Sequence, residues 1–432
     1  MTEPKTPSPF PEGFLWGAST AAHQNEGNNT LSDFWALEHL EGSSFSEVSG
    51  DTVDFYHRWK EDVDLLKSLG LNAFRFSIEW ARIEPARGQF SAAALAHYRR
   101  IIQYCLAQGV EPVVTLHHFS SPLWFAKSGG WGSEEAVDRF GDYVTAVAPI
   151  LEGVTWVATI NEPNMFAVMY QMSLVLQSPD PEAVLAQMAS VQTASAEMAS
   201  AQEVVSGEAG LNAFSMPEPK EEAAQTMLRA HARAREILHA LTSVKVGWTI
   251  AVQSLVARPG YEAELPRYQR VWEDSYLEAA REDDWVGVQA YTSQLVGPNG
   301  LEGAPEGAEV TQTGWAYRPD ALGIALRRTW EVTGGTPMMV TENGIATDDD
   351  RRRIDYTTGA LQGVAETIAD GLDVRGYLHW TFVDNFEWVH AYRMTFGLVA
   401  VDRTTFERTP KGSAIWLGEL ARTNGWSLRP RD

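Results

Sequence analysis

Short apolar runs recur along the chain, separated by stretches with helical periodicity. Most of these runs lack a regular alternation of polar and apolar positions, which is typical of parallel strands covered on both faces. Eight strands are predicted: Phe14–Ser19, Asn72–Trp80, Glu111–Phe119, Val154–Glu162, Val244–Val252, Trp285–Thr292, Met338–Gly344 and Arg375–Asp384. The clearest helices are predicted at Val53–Leu69, Ala92–Gln108, Ala136–Ile150, Glu221–Leu241, Tyr268–Arg281, Ala321–Val332 and Thr357–Ala369. This alternation predicts an α/β fold, a closed (β/α)₈ TIM barrel.

The domain organisation follows from this fold. A chain of 432 residues could form two or three domains, but barrels of this kind reach more than about 400 residues as one domain. We therefore predict a flexible N-terminal tail over residues 1–10 and a single barrel domain over residues 11–425. Residues 171–222 do not follow the alternation of strands and helices, because they are rich in Ala, Gln, Ser, Met and Glu. Their inner part, Pro181–Gln202, favours a helix by propensity.

Polar or ionisable residues stand at the ends of the predicted strands. In such a barrel the carboxyl ends of all strands meet at one rim, where active sites lie. Polar residues required only by the core would be scattered instead. The strand ends carry, in order, Gln24, Arg75–Glu79, His117 and His118, Asn161 and Glu162, Gln253, Gln289 and Tyr291, Glu342 and Asn343, and Trp380–Asp384. Residues 171–222 leave from this rim, either as an ordinary surface elaboration or as a lid or wall beside it.

Composition and charge restrict the partners. The net charge of −23 argues against nucleic acid, because phosphate contacts need a basic face. No run approaches the roughly 18 apolar residues of a membrane span. Met1–Pro11 is rich in Pro, Ser and Thr and lacks the apolar stretch of a signal peptide. We therefore expect a soluble cytoplasmic protein. The single cysteine, Cys105, has apolar neighbours at helical spacing, which favours a buried inert thiol over a nucleophile.

Two glutamates end predicted strands beside an asparagine. Glu342 lies in Val340–Gly344, and Glu162 lies in Thr159–Pro163. A retaining glycosidase needs one carboxylate as nucleophile and one carboxylic acid as proton donor, and a barrel could bring these two residues together. Arg75 could hold Glu342 ionised by charge pairing. The alternative for this Arg–Glu pair is a purely structural ion pair at the rim.

Neighbouring residues fit the same interpretation. Tyr291 could donate a hydrogen bond to Glu342 and aim its attacking oxygen. A charged Glu342 would raise the pKa of Glu162 and keep that carboxyl protonated. The amide of Asn161 suits a sugar hydroxyl, a contact that strengthens in the transition state of glycosidases. Pro163 predicts an extended backbone at Glu162.

Sugar rings need side chains that bind hydroxyl groups and flat rings that cover the C–H face. Any one His or Trp is more often a core residue, but several such residues fall together at strand ends. The hydroxyl-binding candidates are Gln24, His118, Asn161 and Glu387, and the stacking candidates are Trp380 and Trp388.

From about residue 10 to 425 the chain resembles glycoside hydrolase family 1, the β-glucosidase-like group. The motifs that carry the resemblance are Phe14–Ser19 with Gln24 and Glu26-Gly27, Phe74–Ser77, Thr115–Phe119, Thr159–Pro163, Thr341–Gly344, Asp384–Trp388, Phe396–Leu398, Val401-Asp402 and Pro410-Lys411. The resemblance implies that Glu162 is the acid/base and Glu342 the nucleophile. It also implies a glycone site of Gln24, His118, Asn161, Glu387 and Trp388, with Trp380 as a stacking platform.

The resemblance also restricts the class of sugar that the substrate carries. Members that act on 6-phosphosugars typically have Ser at the position of Glu387, followed by Lys and Tyr, whereas this chain has Glu387, Trp388 and Thr395-Phe396. An unphosphorylated glycone is therefore indicated. The chain departs from the usual pattern at Ser120 (often Asp), Gln289 (usually Asn), Asn25 (usually Ile or Val), Ala391 (commonly Gly) and residues 171–222.

The expected function is hydrolysis of an unphosphorylated β-glucoside-like substrate with retention, without metal or cofactor. Transglycosylation, in which an acceptor hydroxyl replaces water, is a second hypothesis. A catalytically silent sugar-binding protein is a third, although both glutamates are present. A metal-dependent hydrolase is disfavoured because His117 and His118 are adjacent and would point to opposite faces of a strand, and only His379 ends another strand.

Overall fold

Eight parallel strands close into a barrel in the computed structural model, which describes residues 8–186, 218–298 and 300–428. The strands are β1 (Leu15–Ser19), β2 (Ala73–Ser77), β3 (Glu111–His117), β4 (Trp156–Asn161), β5 (Lys245–Ala251), β6 (Val286–Gln289), β7 (Met338–Glu342) and β8 (Val374–Trp380). Strands that are consecutive in the chain pair with each other, and β8 pairs with β1 to complete the ring. The predicted TIM barrel is confirmed.

Helices surround the strands. They are α1 (Phe55–Leu69), α2 (Ala92–Ala107), α3 (Ala136–Val147), α4 (Glu221–Leu241), α5 (the contiguous segments Leu265–Gln269, Arg270–Asp274 and Ser275–Ala279), α6 (Ala321–Thr333), α7 (Asp350–Ala369) and α8 (Gly412–Arg422). The predicted start of α7 at Thr357 was wrong. Its first turn is polar, and the Asp349 side chain caps it by accepting a hydrogen bond from the Arg351 backbone N–H at 2.9 Å.

Several strands end earlier than predicted. The run Asn72–Trp80 was expected to stay extended, but β2 stops at Ser77 and a short helix occupies Trp80–Ile83. The Glu79 side chain caps that helix by accepting a hydrogen bond from the Ala81 backbone N–H at 3.1 Å. An apolar run without alternation does not reveal where such a cap interrupts it.

The barrel interior is filled by its own small cluster of buried side chains. Its members are Ala73, Val113, Trp156, Ala158, Trp285, Met339 and Leu378. Close approach of strands explains Gly17 in β1, because a Cβ atom there would lie 2.2 Å from the Ala73 carbonyl oxygen of β2. A larger apolar cluster fills the layer between strands and helices. The rim that carries the site therefore rests on a tightly packed base.

Two predicted segments fall partly outside the described residues. Residues 1–7 of the predicted tail lie outside them, whereas Phe10 is buried and packs on Phe14 and Trp16 with ring centroids 4.9 and 4.7 Å away. In the 171–222 segment, the helix Pro163–Val175 extends from Glu162, and residues 181–186 are helical. Most of the predicted helix Pro181–Gln202 lies outside the described ranges. None of the helices that the structure describes combines the length and apolar character of a membrane span.

Candidate active site

Glu342, the last residue of β7, is held by two donors. Arg75 Nη1 donates to Glu342 Oε1 at 2.5 Å, and the Tyr291 hydroxyl donates to Oε2 at 2.7 Å. Arg75 is fully buried in the middle of β2, and Glu342 is 4% exposed. Charge-assisted hydrogen bonds of this kind favour the ionised carboxylate and fix its orientation. The structure thus brings Arg75 and Tyr291 to the carboxyl for which they were predicted.

Asn161, the last residue of β4, lies at the centre of a buried hydrogen-bond network. Its Oδ1 accepts hydrogen bonds from Arg75 Nη2 at 2.5 Å, Thr249 Oγ1 at 2.8 Å and Gln289 Nε2 at 2.9 Å. Its Nδ2 lies 3.3 Å from His118 Nε2. Because the side-chain oxygen already has three donors, the amide N–H group is the part of Asn161 that remains suited to a ligand oxygen.

Sequence reasoning missed two residues of this network. Arg75 Nε donates to Thr115 Oγ1 at 3.0 Å, and Thr249 bridges Arg75 to Asn161. Both threonines are completely buried and lie within the apolar strands β3 and β5. A polar residue inside an otherwise apolar strand is the signal that could have identified them, because a buried hydroxyl group requires a hydrogen-bond partner.

Glu162 immediately follows β4, but its backbone is not extended. With φ +41° and ψ 58° it adopts a left-handed conformation, so the predicted extended backbone was wrong. Pro163 disfavours only the right-handed α region at the preceding residue, and here it serves as the first residue of the helix Pro163–Val175. The Glu162 N–H donates to the Thr249 carbonyl oxygen at 2.8 Å, which ties this turn to β5.

The two glutamates differ in their electrostatic surroundings. Burial raises the pKa of Glu162 well above its usual range, the Glu342 charge raises it further, and Arg75 lowers it. Burial also raises the pKa of Glu342, but direct contacts with Arg75 and Tyr291 act against burial there. Among the described residues, no side chain donates a hydrogen bond to the Glu162 carboxyl. The arrangement favours a charged Glu342 beside a protonated Glu162.

A second polar group lies beside β8. Glu387 Oε1 accepts from Trp380 Nε1 at 3.0 Å, and Oε2 accepts from Gln24 Nε2 at 3.3 Å. Gln24 also donates to the Phe386 carbonyl oxygen at 2.8 Å. Burial raises the pKa of Glu387 to about 8, Glu342 adds to that effect, and the hydrogen bonds from Trp380 and Gln24 oppose it. Gln24, Trp380 and Glu387 are therefore brought together as predicted from their positions at strand ends.

Aromatic rings line the region between these groups. The His118 ring stacks on Trp380 and on Trp388, with centroids 5.8 and 6.3 Å apart. The Trp388 ring is also parallel to the buried His23 ring, with ring centroids 5.7 Å apart. Burial lowers the pKa of His118 far below its usual range, and Arg75 lowers it further, so its ring is neutral. The six predicted sugar-binding residues thus lie on adjoining elements of one rim.

Two departures from the usual pattern leave these contacts intact. Gln289 donates to Asn161, while Tyr291 still donates to Glu342. Asn25, the last residue of the short helix Ala22–Asn25, is buried and donates to the carbonyl oxygen of the N-cap residue Ala21 at 3.1 Å. Neither substitution therefore displaces the groups that contact the two glutamates.

Ala391 adopts a conformation that favours glycine. Its φ of +50° and ψ of −119° match the first central position of a type II′ turn, and the Arg393 N–H closes the turn onto the His390 carbonyl oxygen at 3.2 Å. The Ala391 carbonyl oxygen accepts from the Glu387 N–H at 2.6 Å. Strain in this turn is therefore coupled directly to the backbone that carries Glu387.

Ala391→Gly is expected to raise the free energy of unfolding by about 1 kcal/mol, because glycine removes the Cβ strain of this turn. Chemical denaturation followed by tryptophan fluorescence measures the change. Ala230→Gly, at a buried position in the middle of α4, is the control and should destabilise by about 1 kcal/mol or more. Equal destabilisation by both substitutions would show that the turn at Ala391 is not strained.

Other candidate chemistries find less support. Cys105 is completely buried, and burial raises the pKa of its thiol to about 12, which leaves it inert at neutral pH. Across the ranges 8–186, 218–298 and 300–428, no group of three or more His, Cys, Asp or Glu side chains is arranged to hold a metal ion. His117 Nε2 lies 3.0 Å from Ser121 Oγ.

A TIM barrel whose rim combines two unlike carboxyls with amide groups and aromatic rings has the architecture of a glycoside hydrolase. The family model described as glycosyl hydrolase family 1 matches residues 6–426, so the chain belongs to this family and is a glycoside hydrolase.

Similar proteins support the same assignment. A β-glucosidase from an Agrobacterium species is 32% identical over 98% of this chain and 97% of its own. The crystal structure of a β-glycosidase shares 41% identity and a TM-score of 0.84, covering 98% of this chain and 100% of that chain. The β-glucosidase of Thermotoga maritima, solved in complex with glucoimidazole, shares 26% identity and a TM-score of 0.81 over 96% of this chain and 99% of that chain.

Proposed function

We propose that the protein is a retaining β-glycosidase that hydrolyses unphosphorylated β-glucoside-like substrates. The observation that supports this most directly is the asymmetry of the two glutamates. Glu342 is held by Arg75 and Tyr291, whereas Glu162 lacks a side-chain donor among the described residues. A double displacement requires this division between an ionised nucleophile and a protonated acid.

In the first step Glu342 attacks the anomeric carbon, and the bond from that carbon to the leaving-group oxygen breaks. Glu162 transfers its proton to the departing oxygen, so the leaving group departs as a neutral alcohol. Formation of the glycosyl ester removes the negative charge of Glu342. Next to burial, the charge of Glu342 is the largest contribution to the raised pKa of Glu162. This contribution is lost when the ester forms, which is the point at which Glu162 must become a base.

In the second step Glu162 takes a proton from water, and the resulting hydroxyl attacks the anomeric carbon. The ester bond to Glu342 breaks, and the product sugar keeps the configuration of the substrate. Arg75 and Tyr291 receive the carboxylate again as it leaves. Asn161, whose oxygen is already occupied, offers its amide N–H to a sugar hydroxyl, a contact that gains strength as charge develops on the sugar.

Two observations support the proposed glycone. The T. maritima β-glucosidase, which shares this fold, has been solved with glucoimidazole. At Thr395, where a phosphate site would lie in relatives that act on phosphosugars, Gln312 Oε1 accepts hydrogen bonds from the Thr395 N–H at 3.2 Å and from its hydroxyl at 3.0 Å. A side chain of the protein thus uses the donors that a phosphate would need.

Hydrolysis of chromogenic aryl β-glycosides tests the proposal. We expect release of chromophore from the β-glucoside, the β-galactoside and the β-fucoside, with little from the β-glucoside 6-phosphate. Proton NMR during the first turnovers should show the β-anomer of the product before mutarotation. Initial formation of the α-anomer would refute the retaining mechanism, and a preference for the 6-phosphate would refute the proposed glycone.

A further inference from the structure

The turn that follows β3 contains a strained residue. Phe119 has φ +66°, and the Ser120 N–H donates to the His118 carbonyl oxygen at 2.8 Å, which closes a three-residue γ-turn around it. The γ-turn with positive φ is rare and strained, and an aromatic residue is poorly suited to it. Such a conformation persists only when the surrounding structure imposes it.

The Glu79 side chain provides one such constraint. Ser120 Oγ donates to Glu79 Oε2 at 2.6 Å, and the two residues are 3% and 2% exposed. The other carboxyl oxygen of Glu79 caps the helix Trp80–Ile83, so the carboxyl group is anchored to the barrel at the end of β2. A short hydrogen bond between buried groups holds the turn firmly at Ser120.

The Asp33 side chain provides a second constraint. Asp33 Oδ1 accepts a hydrogen bond from the Ser121 N–H at 2.9 Å, and the Asp33 N–H donates to the Ser121 carbonyl oxygen at 2.9 Å. The residues after the γ-turn are therefore attached to the short helix Asp33–Glu38 as well. Both attachments fall within two residues of Phe119 in the chain.

The turn carries residues of the active site at its other end. Its first residue is His118. The Nε2 atom of this residue lies 3.3 Å from Asn161 Nδ2, and its ring stacks on Trp380. The Phe119 ring packs edge-on against Trp388, with centroids 5.3 Å apart. A shift of the turn would therefore displace a hydroxyl-binding side chain and an aromatic wall together.

We propose that Glu79 and Ser120 form a positioning pair that holds the strained turn at Phe119 and thereby orients His118 toward the substrate. This proposal rests on the proposed function, because the role of His118 belongs to it. Here the hydroxyl group stands on the turn, and the carboxyl group comes from the end of β2.

Exchange of the two partners tests the pair. Wild-type hydrolysis of an aryl β-glucoside is measured first, since its absence would refute the proposed function rather than the pair. Ser120→Ala is expected to lower kcat/KM about tenfold, mainly through kcat, because sugar contacts strengthen in the transition state.

Glu79→Ser removes the carboxyl group but keeps a capping side chain. The double variant E79S/S120D, which returns one carboxyl group facing one hydroxyl group, should recover kcat/KM to within about threefold of wild type.

Two control variants distinguish a positioning role of Ser120 from an effect on protein stability alone. Ser413→Ala removes a partly buried hydroxyl–carboxylate hydrogen bond, 2.7 Å long, between α8 and Asp350, and should leave kcat/KM unchanged. If Ser120 acts through His118, the H118A/S120A variant should be no less active than H118A. The proposal is overturned if S120A lowers the melting temperature without lowering kcat/KM. It is also overturned if E79S/S120D is no more active than E79S or S120A. A third contrary result would be a kcat/KM of H118A/S120A that falls by the product of the two single-variant losses.

Discussion

Glu342→Gln is expected to abolish hydrolysis of aryl β-glucosides, with kcat/KM falling by at least about four orders of magnitude. Glutamine keeps the shape of the side chain, but its amide group is neutral and does not form the glycosyl ester on which the mechanism depends. Its NH₂ group would also face Arg75 or Tyr291, both of which donate to the present carboxylate. Chromophore release at high enzyme concentration measures the loss.

Asp62→Asn is the matched control for this substitution. Asp62 is 1% exposed and forms a buried two-pronged ion pair with Arg408, at 2.8 and 3.0 Å, in the outer layer of the fold. Breaking that pair should lower the melting temperature while kcat/KM stays within about threefold of wild type, because no group at the rim is altered. A folded E342Q variant that keeps more than about one per cent of wild-type activity would contradict the nucleophilic role.

Glu162→Gln is expected to have an effect that depends on the leaving group. Without a proton donor, alkyl β-glucosides should lose about four orders of magnitude in kcat/KM, whereas a dinitrophenyl β-glucoside leaves unaided and should still glycosylate Glu342. Since the variant also lacks the base of the second step, the glycosyl-enzyme should accumulate. A burst of dinitrophenol and a one-sugar adduct in intact-mass spectra would demonstrate it, and an equal loss with both substrates would contradict the role.

The pH profile provides an independent test of the same residue. In the wild type, activity should fall at low pH as Glu342 becomes protonated, and at high pH as Glu162 loses its proton. The pKa of Glu162 is raised by burial and by Glu342, so the fall on the alkaline side lies well above the usual titration of a carboxyl group. With the dinitrophenyl substrate, the alkaline fall in kcat/KM should be absent from E162Q and the acidic fall retained. An unchanged alkaline fall would assign it to another group.

The strand pattern and the residues at the strand ends were readable from the sequence because both depend on local chemistry. Apolar runs without alternation predicted parallel strands, and carboxyl ends that meet at one rim placed Glu162 and Glu342 on the same side. Boundaries were less predictable where side chains cap helices. Asp349 extends α7 to an earlier start, and Glu79 begins a helix inside a predicted strand.

The backbone conformation at the candidate active site could not be predicted from the sequence either. Glu162 is left-handed because its N–H bonds to β5 while Pro163 begins a helix, and these two requirements come from different parts of the fold. The γ-turn at Phe119 likewise depends on Glu79 and Asp33, which belong to other elements. Local propensity carries no information about such long-range constraints.

The sequence by itself determined the barrel and its rim, and it singled out Glu162 and Glu342 as the candidate carboxyl groups. The sequence also suggested Arg75 and Tyr291 as partners of Glu342, but only the tertiary structure decided that both contacts form. Arg75 and Glu342 are separated by 267 positions, and closure of the barrel brings their side chains to 2.5 Å, while Glu162 receives no comparable donor among the described residues. A carboxyl pKa depends on burial and on charges within a few ångströms, and these distances exist only after the chain has folded.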